Sequence, residues 1–309
     1  MFATRLSFGQ ATVQDAVNPD VPIWGQVDNT GIAIAPFCQW NAVVHDDPSG
    51  VYFIQWLDPN IGMQLDFDTQ QGQDPDVAYY NNADVVSVAY ESGGAIWVDD
   101  YNLLTLAPNY NLAAQTPISS GQDPNIDINS AGNGIVTWED GGAVWVVSYN
   151  LIGTAGVPIP VVAGRQPDVA LLDDNQNYVL TYINPAGEWE TQTFDYWAIT
   201  GGTPAIVPTS GLVNIPVFGA QWEWPRIQSN RNAMFGPPDF YTAVSQDDQG
   251  GTYDVHALFF GGMGNVINFQ HVNNPLNLCG FDFPRPVVAY DRDYVHIAWA
   301  QNMHFILTG

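Results

Sequence analysis

The same order of residues recurs along the chain, and this repetition limits the possible folds more than any other feature. One copy begins at Gly72 as Gly-Gln-Asp-Pro, the next at Gly121 with the same residues, and a third at Gly164 as Gly-Arg-Gln-Pro. Each opening is followed by an apolar run, a turn containing Gly and a second run containing Trp. Self-similarity at a period of roughly 45 residues is typical of repeat proteins, in which every copy forms one small structural unit.

Each copy is predicted to form short strands rather than helices. Runs rich in Val, Ile, Tyr and Trp alternate with clusters of Gly, Pro, Asn and Asp, which is the pattern of strands and turns. No stretch shows a helical apolar period with capping residues. A looser copy is predicted to start with a strand at 41–44, after an extended lead-in at 9–36, and looser copies begin again at 225 and 284.

Repeated units of about four short strands resemble the blades of a β-propeller. The predicted fold is all-β, a six-bladed β-propeller that forms a single domain. The last copy lacks an outer strand, and residues 2–8 form a strand with no copy of its own. This N-terminal strand is therefore predicted to complete the last blade, which removes the two free edges of an open array. The predicted repeats, within one domain 1–309, are approximately 38–71, 72–120, 121–163, 164–220, 221–280, and 281–309 plus 2–8.

The resemblance is one of architecture and extends to no named family. The sequence has no Trp-Asp ending, no kelch Gly-Gly pair followed by spaced aromatics and no sialidase-type Asp box. Because one fold serves many functions, no activity is carried over. An array of β-sandwich domains is the alternative, but the period is too short, since a sandwich needs about 100 residues.

The charge balance excludes several classes of partner. The chain has 6 Lys and Arg residues, all of them Arg, against 32 Asp and Glu, for a formal charge of -26. Nucleic acid and anionic membranes both require basic surfaces, and no apolar run approaches the roughly 20 residues of a membrane helix. The expected partner is a protein or a glycan, and the acidic, lysine-free surface favours an extracellular or cell-surface location.

The most informative position follows the Pro that opens each innermost strand. In a propeller these strands line the central channel, so acids on one side and arginines on the other would surround its mouth. Asp74 and Asp123 add carboxylates at the same rim. In the functional interpretation, these residues bind a polar ligand or a cation such as Ca²⁺ at the channel mouth. In the structural interpretation, they are turn and strand-entry residues, and the arginines neutralise the acids. The predicted ligand-binding residues are Asp74, Asp76, Asp123, Asn125, Asp168, Arg226 and Arg285.

Aromatic residues support two interpretations. Trp222 and Trp224 flank Glu223; exposed, they would form a platform for glycan stacking, and buried, they would pack between blades. A further set of aromatics ends the second strand of most copies and is interpreted as packing between blades. Its members are Trp56, Tyr90, Trp138, Tyr182 and Trp299.

Two further features concern cysteines and neighbouring acids. Cys38 and Cys279 precede the predicted innermost strands of the first and last copies, which are neighbours in a closed ring. We expect a disulfide between them; the alternative is two unrelated buried thiols. Acid pairs such as Asp99 and Asp100 are expected in solvated turns or at strand ends, where Ca²⁺ is a further possibility.

The sequence favours binding over catalysis. It has no Gly-x-Ser-x-Gly elbow and no phosphate-binding loop, so no catalytic residue and no certain cofactor are predicted. The leading hypothesis is a non-catalytic extracellular or cell-surface propeller that serves as a protein-binding or structural assembly module. A lectin-like glycan-binding module is the second hypothesis, from 11 Trp and Asn/Gln-rich loops. A hydrolase or lyase at the channel mouth, with Arg226 and Arg285 clamping a substrate carboxylate, is the third.

Overall fold

The computed structural model covers most of the repeated region. The described residues are 30–34, 41–46, 50–58, 63–80, 85–102, 111–129, 131–151, 154–172, 176–200, 212–216, 221–229, 241–248, 253–261, 265–271, 286–291 and 294–298. The predicted closing strand at 2–8 and both cysteines lie outside them.

The described strands form six antiparallel sheets, each built from strands that are consecutive in sequence. The first contains β1 (Thr30–Ile34), β2 (Asn41–Asp46), β3 (Val51–Asp58) and β4 (Met63–Gln71). The second contains β5 (Gln73–Tyr80), β6 (Val85–Ser92), β7 (Ala95–Asn102) and β8 (Asn111–Ser120). The third contains β9 (Gln122–Ile128), β10 (Asn133–Asp140) and β11 (Ala143–Asn150), with β12 (Thr154–Ala155) and β13 (Ile159–Ala163) both paired to β11.

The remaining sheets follow the same meander. The fourth contains β14 (Arg165–Leu171), β15 (Asn177–Ile183), β16 (Trp189–Asp195) and β17 (Val213–Ile215), with a short helix α1 (Tyr196–Thr200) after β16. The fifth contains β18 (Gln221–Ser229), β19 (Tyr241–Asp248), β20 (Tyr253–Gly261) and β21 (Asn265–His271). The last described pair is β22 (Val287–Asp291) and β23 (Tyr294–Ala298). As predicted, strands dominate, and α1 is the only helix among the described residues.

The innermost strands lie side by side. β5 contacts β1 and β9, β14 contacts β9 and β18, and β22 contacts β18 and β1. Apolar residues fill the space between neighbouring sheets because successive side chains of a strand point to opposite faces. Val88 packs towards the first sheet while Ala89 packs towards the third. Strands covered on both faces are largely apolar, as in Val85–Tyr90, where Ser87 is the one polar residue.

The first sheet begins earlier than the sequence indicated. β1 lies within the stretch interpreted as an extended lead-in and pairs along its whole length with β2. The strand at Asn41–Asp46 is therefore second in its sheet and not innermost. The sequence Thr-Gly-Ile-Ala-Ile of β1 lacks the Pro-containing opening of the later innermost strands, so the repeat pattern did not reveal it.

The aromatics that end the second strands are buried between blades where the structure describes them. Tyr90, Trp138 and Tyr182 have almost no exposed surface. The ring of Tyr182 lies so close to Gly164 that a Cβ on this glycine would come within 2.8 Å of its Cδ2. This close approach explains why a glycine opens the repeat, since any larger residue would displace the ring.

Asp99 and Asp100 are buried within β7, which corrects the expectation of solvated turns. Asp99 accepts a hydrogen bond from the hydroxyl of Tyr52 in the first sheet (2.9 Å), and Asp100 accepts one from Tyr149 in the third (2.6 Å). The hydroxyl of Ser87 also donates to Asp100. Strand alternation sends the two carboxylates to opposite faces, so this pair of acids links three blades.

We expect the substitution Tyr149→Phe to destabilise the protein by about 1–3 kcal/mol, because it removes one donor from a fully buried carboxylate. The measurement is chemical denaturation followed by tryptophan fluorescence. Tyr178→Phe is the matched control, since within the described structure no hydrogen bond reaches that buried hydroxyl. Equal losses in the two variants would show that the link between blades contributes nothing.

Candidate functional site

A repeated kink positions the predicted axial residues. In four of the innermost strands the residue before the proline has a left-handed backbone, which is uncommon for residues other than glycine. The strand pairing shifts register at each of these points, so each is a β-bulge that turns the following side chains. The residues and their φ angles are Asp74 (51°), Asp123 (51°), Gln166 (50°) and Trp224 (50°).

Side chains of neighbouring blades hold three of these bulges in place. The amide N–H of Asp74 donates to Asp46 Oδ2 in the first sheet (2.7 Å). The amide of Gln166 donates to Glu139 Oε2 (3.3 Å), and that of Trp224 donates to Gln166 Oε1 (3.1 Å). A bulge frees a backbone amide from the ladder, so an acceptor from the neighbouring sheet offsets part of the strain.

In three of these strands, the residue after the proline links its strand to the next innermost strand. Asp76 Oδ2 accepts a hydrogen bond from the amide of Ile126 (2.9 Å), and Asp168 Oδ2 accepts one from the amide of Ile227 (2.8 Å). Asn125, between them in blade order, donates from Nδ2 to the carbonyl of Pro167 (2.6 Å). These polar side chains therefore join consecutive blades where no sheet pairing connects them.

Asp76, Asp168 and Arg226 meet at one small cavity between the innermost strands. Its volume is about 30 Å³, which is room for one or two water molecules and not for a substrate. Gln228 also lines it; sequence reasoning missed this residue, although the two-residue spacing from Arg226 places both on one face of β18.

The other predicted ligand residues have different positions. Asn125 is fully buried beside the inter-blade contact, while Asp74 and Asp123 form the bulges and are not among the residues that line the cavity. Arg285 lies outside the described residues. The structure thus brings together only part of the predicted set, and the role of these residues as ligand contacts stays a prediction.

Burial dominates the electrostatics of the cavity. It raises the pKa of Asp168 to about 7, with Arg226 acting in the opposite direction and the nearby charge of Asp76 adding to the rise. Burial likewise raises the pKa of Asp76, again opposed by Arg226. Two carboxylates that share one guanidinium resist simultaneous ionisation.

The structure offers little support for a metal centre or a stacking platform. Within the described ranges, no group of three or more His, Cys, Asp or Glu side chains could hold a metal ion. Trp222 is fully buried against Trp189 of the fourth sheet (centroids 5.3 Å apart), so it packs between blades and cannot stack on a glycan. Trp224 is partly buried at its bulge.

Comparisons with known proteins identify the fold class. No protein-family model matches the sequence, and no curated protein is similar to it. The structure is similar to that of a triple arginine-to-alanine mutant of AofleA from Arthrobotrys oligospora, with TM-score 0.61 and 11% identity, covering 89% of this chain and 80% of that one. It is also similar to the Dos1 propeller, with TM-score 0.50 and 9% identity, covering 86% of this chain and 62% of that one.

A third similar structure is the SapL1 lectin in complex with alpha methyl fucoside, with TM-score 0.51 and 10% identity, covering 78% of each chain. This chain spans 56% of the length of another match, TolB from Acinetobacter baumannii. Identities this low show the fold alone: an all-β protein of four-stranded antiparallel sheets in the propeller class. Among the described residues, no helix is long and apolar enough to cross a membrane.

The substitution Asp168→Asn tests the electrostatics of the cavity. A carboxyl whose pKa is raised to about 7 by folding stabilises the protein below its ordinary pKa near 4, and this contribution is lost as the pH rises through 7. We therefore expect the melting temperature of the wild type to fall between pH 5 and pH 8 by several degrees more than that of the variant.

Asp140→Asn is the control for this measurement, since it removes the same charge from the end of β10, where Asp140 accepts a hydrogen bond from Ser120. We expect this variant to keep the pH dependence of the wild type. Parallel melting curves of Asp168→Asn and the wild type across this pH range would contradict the assignment.

Proposed function

We propose that the protein is a non-catalytic propeller that binds a partner protein or builds an assembly. The observation that carries this proposal is the use of the axial polar groups. Asp76 and Asp168 each accept a hydrogen bond from a backbone amide of the next innermost strand. The cavity beside them has a volume of about 30 Å³. Because the cavity is small and its carboxylates already bind neighbouring blades, we infer that a partner protein binds to the outer surface.

We further propose that the propeller closes as six blades. The innermost strands contact one another in series from β1 to β22, and β22 contacts β1, which supports a ring. Residues 2–8 would then complete the last blade, and Cys38 and Cys279 would form a disulfide between the first and last blades. An acidic chain with no lysine suits an extracellular or cell-surface location.

The competing hydrolase or lyase hypothesis is tested with the substitution Arg226→Gln. Arg226 is the only cation among the described residues that line the cavity, so its loss removes the counter-charge that these residues give to the two carboxylates. We expect the variant to be less stable by at least about 1 kcal/mol at pH 8. Neither it nor the wild type should cleave a panel of neutral and acidic oligosaccharides. Turnover by the wild type that Arg226→Gln abolishes would overturn the non-catalytic proposal.

A glycan-binding module is the second candidate, because one tryptophan is well placed for stacking. Trp197 on α1 is 54% exposed, and its amide donates to Asp195 Oδ1 (2.8 Å). An exposed indole beside a carboxylate can stack on the apolar face of a sugar while the acid accepts hydrogen bonds from hydroxyls. The similar SapL1 structure is a lectin bound to a fucoside, which supports testing this class of ligand.

Binding to an array of immobilised glycans, fucosides included, checks the second candidate. If Trp197 forms the site, Trp197→Ala should weaken binding at least about tenfold, since the stacking surface is lost. The variant Trp97→Leu is the control, because Trp97 is partly buried in β7 of the second sheet, whereas α1 follows β16 of the fourth sheet. Glycan binding that survives Trp197→Ala would exclude this site.

A further inference from the structure

The outer edge of the fifth sheet is formed by β21, which pairs with β20 and with no other described strand. Its second edge therefore presents backbone N–H and C=O groups that have no strand partner within the described structure. Three large apolar side chains of this strand are exposed: Val266, Ile267 (59%) and Phe269. Ile267 sits where the pairing with β20 shifts register, which turns its side chain outwards.

The outer strands of the first four sheets carry features that discourage pairing. β4 contains Asp66 and Asp68, β8 contains Pro117, and β13 contains Pro160. β17 has 3 residues and is followed by Pro216. Charges resist burial at a new strand interface, and proline removes a backbone donor. β21, with the sequence Asn-Val-Ile-Asn-Phe-Gln-His, has no proline and no Asp, Glu, Lys or Arg.

We propose that β21 pairs antiparallel with β21 of a second copy of this chain, so that two propellers share a continuous sheet. A two-fold axis makes such a contact self-complementary, because the same strand lies on both sides. Exposed Val266, Ile267 and Phe269 would be covered by their counterparts. The inference rests on the proposed binding function and deepens it by naming the surface and the partner.

The absence of charge along β21 favours a second copy over a basic partner strand. Each chain carries a formal charge of -26, so two copies can approach only where neither presents like charges to the other. β21 is such a place, since no charged residue lies within it. A basic partner strand would instead be matched by acids along the docking edge.

The dimer should be weak and promoted by salt. A single strand edge of 7 residues buries less than the roughly 1,200 Å² of a standard stable interface. The remaining charges of the two chains repel, and salt screens this repulsion. Association should therefore strengthen between 0.05 and 1 M NaCl, whereas salt would weaken the binding of a basic partner.

Sedimentation velocity of the full chain across a concentration series at low and high salt tests the proposal. We expect a reversible monomer–dimer equilibrium whose dissociation constant falls at least about tenfold at high salt. Ile267→Lys should raise that constant at least about tenfold, because it places a charge in the apolar contact. Val157→Lys is the matched control: it adds the same charge at a side chain that is 71% exposed outside β21, and it should dimerise like the wild type.

Thermal melting of Ile267→Lys at the wild-type temperature would show that its fold is intact. A variant that melts early is replaced by Ile267→Asp, which introduces a charge with a shorter side chain at the same exposed position. A chain that stays monomeric at high salt, or a dimer that survives these substitutions, would overturn the pairing through β21. Either result would exclude only this dimer contact. The proposed non-catalytic function would fail through a different experiment, the activity measurement on the wild type and Arg226→Gln, so the two failures are distinguishable.

Discussion

Each innermost strand of the described sheets has one edge that pairs with no other described strand, and the structure depends on how side chains meet that edge. The amides of Ile126 and Ile227 are satisfied by carboxylates of Asp76 and Asp168, each from a neighbouring blade. A buried amide without an acceptor costs about as much as a lost hydrogen bond and its desolvation. Acidic residues after the proline are therefore explained by architecture before any ligand is considered, and Arg226 moderates the charge that they concentrate.

The same solution recurs farther from the axis, inside otherwise apolar layers. Asp99 accepts hydrogen bonds from Tyr52 and Tyr90 (2.9 and 3.2 Å), and burial raises its pKa although these donors act to lower it. Tyr149 reaches back to Asp100 in the preceding blade, and Tyr196 reaches back to the carbonyl of Gly134. Apolar contacts alone tolerate sliding of one sheet over another, whereas buried polar pairs fix the register because a displaced partner leaves a charge unsatisfied.

Sequence reasoning succeeded where a local pattern was repeated and failed where burial depended on distant residues. The Gly-x-x-Pro openings identified the innermost strands β5, β9 and β14, but β1 carries no such opening and was missed. The grouping of Asp76, Asp168 and Arg226 followed from equivalent repeat positions. The burial of Asp99 could not be predicted, because a neighbouring blade covers it and the pairing of faces between blades leaves no signal in a single strand.

The geometry at the axis also separates stability from recognition. Both carboxylate oxygens of Asp168 already accept backbone amides, from Val169 (2.7 Å) and Ile227 (2.8 Å). A ligand that displaced either amide would break a contact within or between innermost strands, at a cost close to its own gain. The outer edges face no such competition, and most are protected by proline or acid. The absence of both from β21 therefore points to that edge as the surface where this acidic propeller can add a partner without weakening itself.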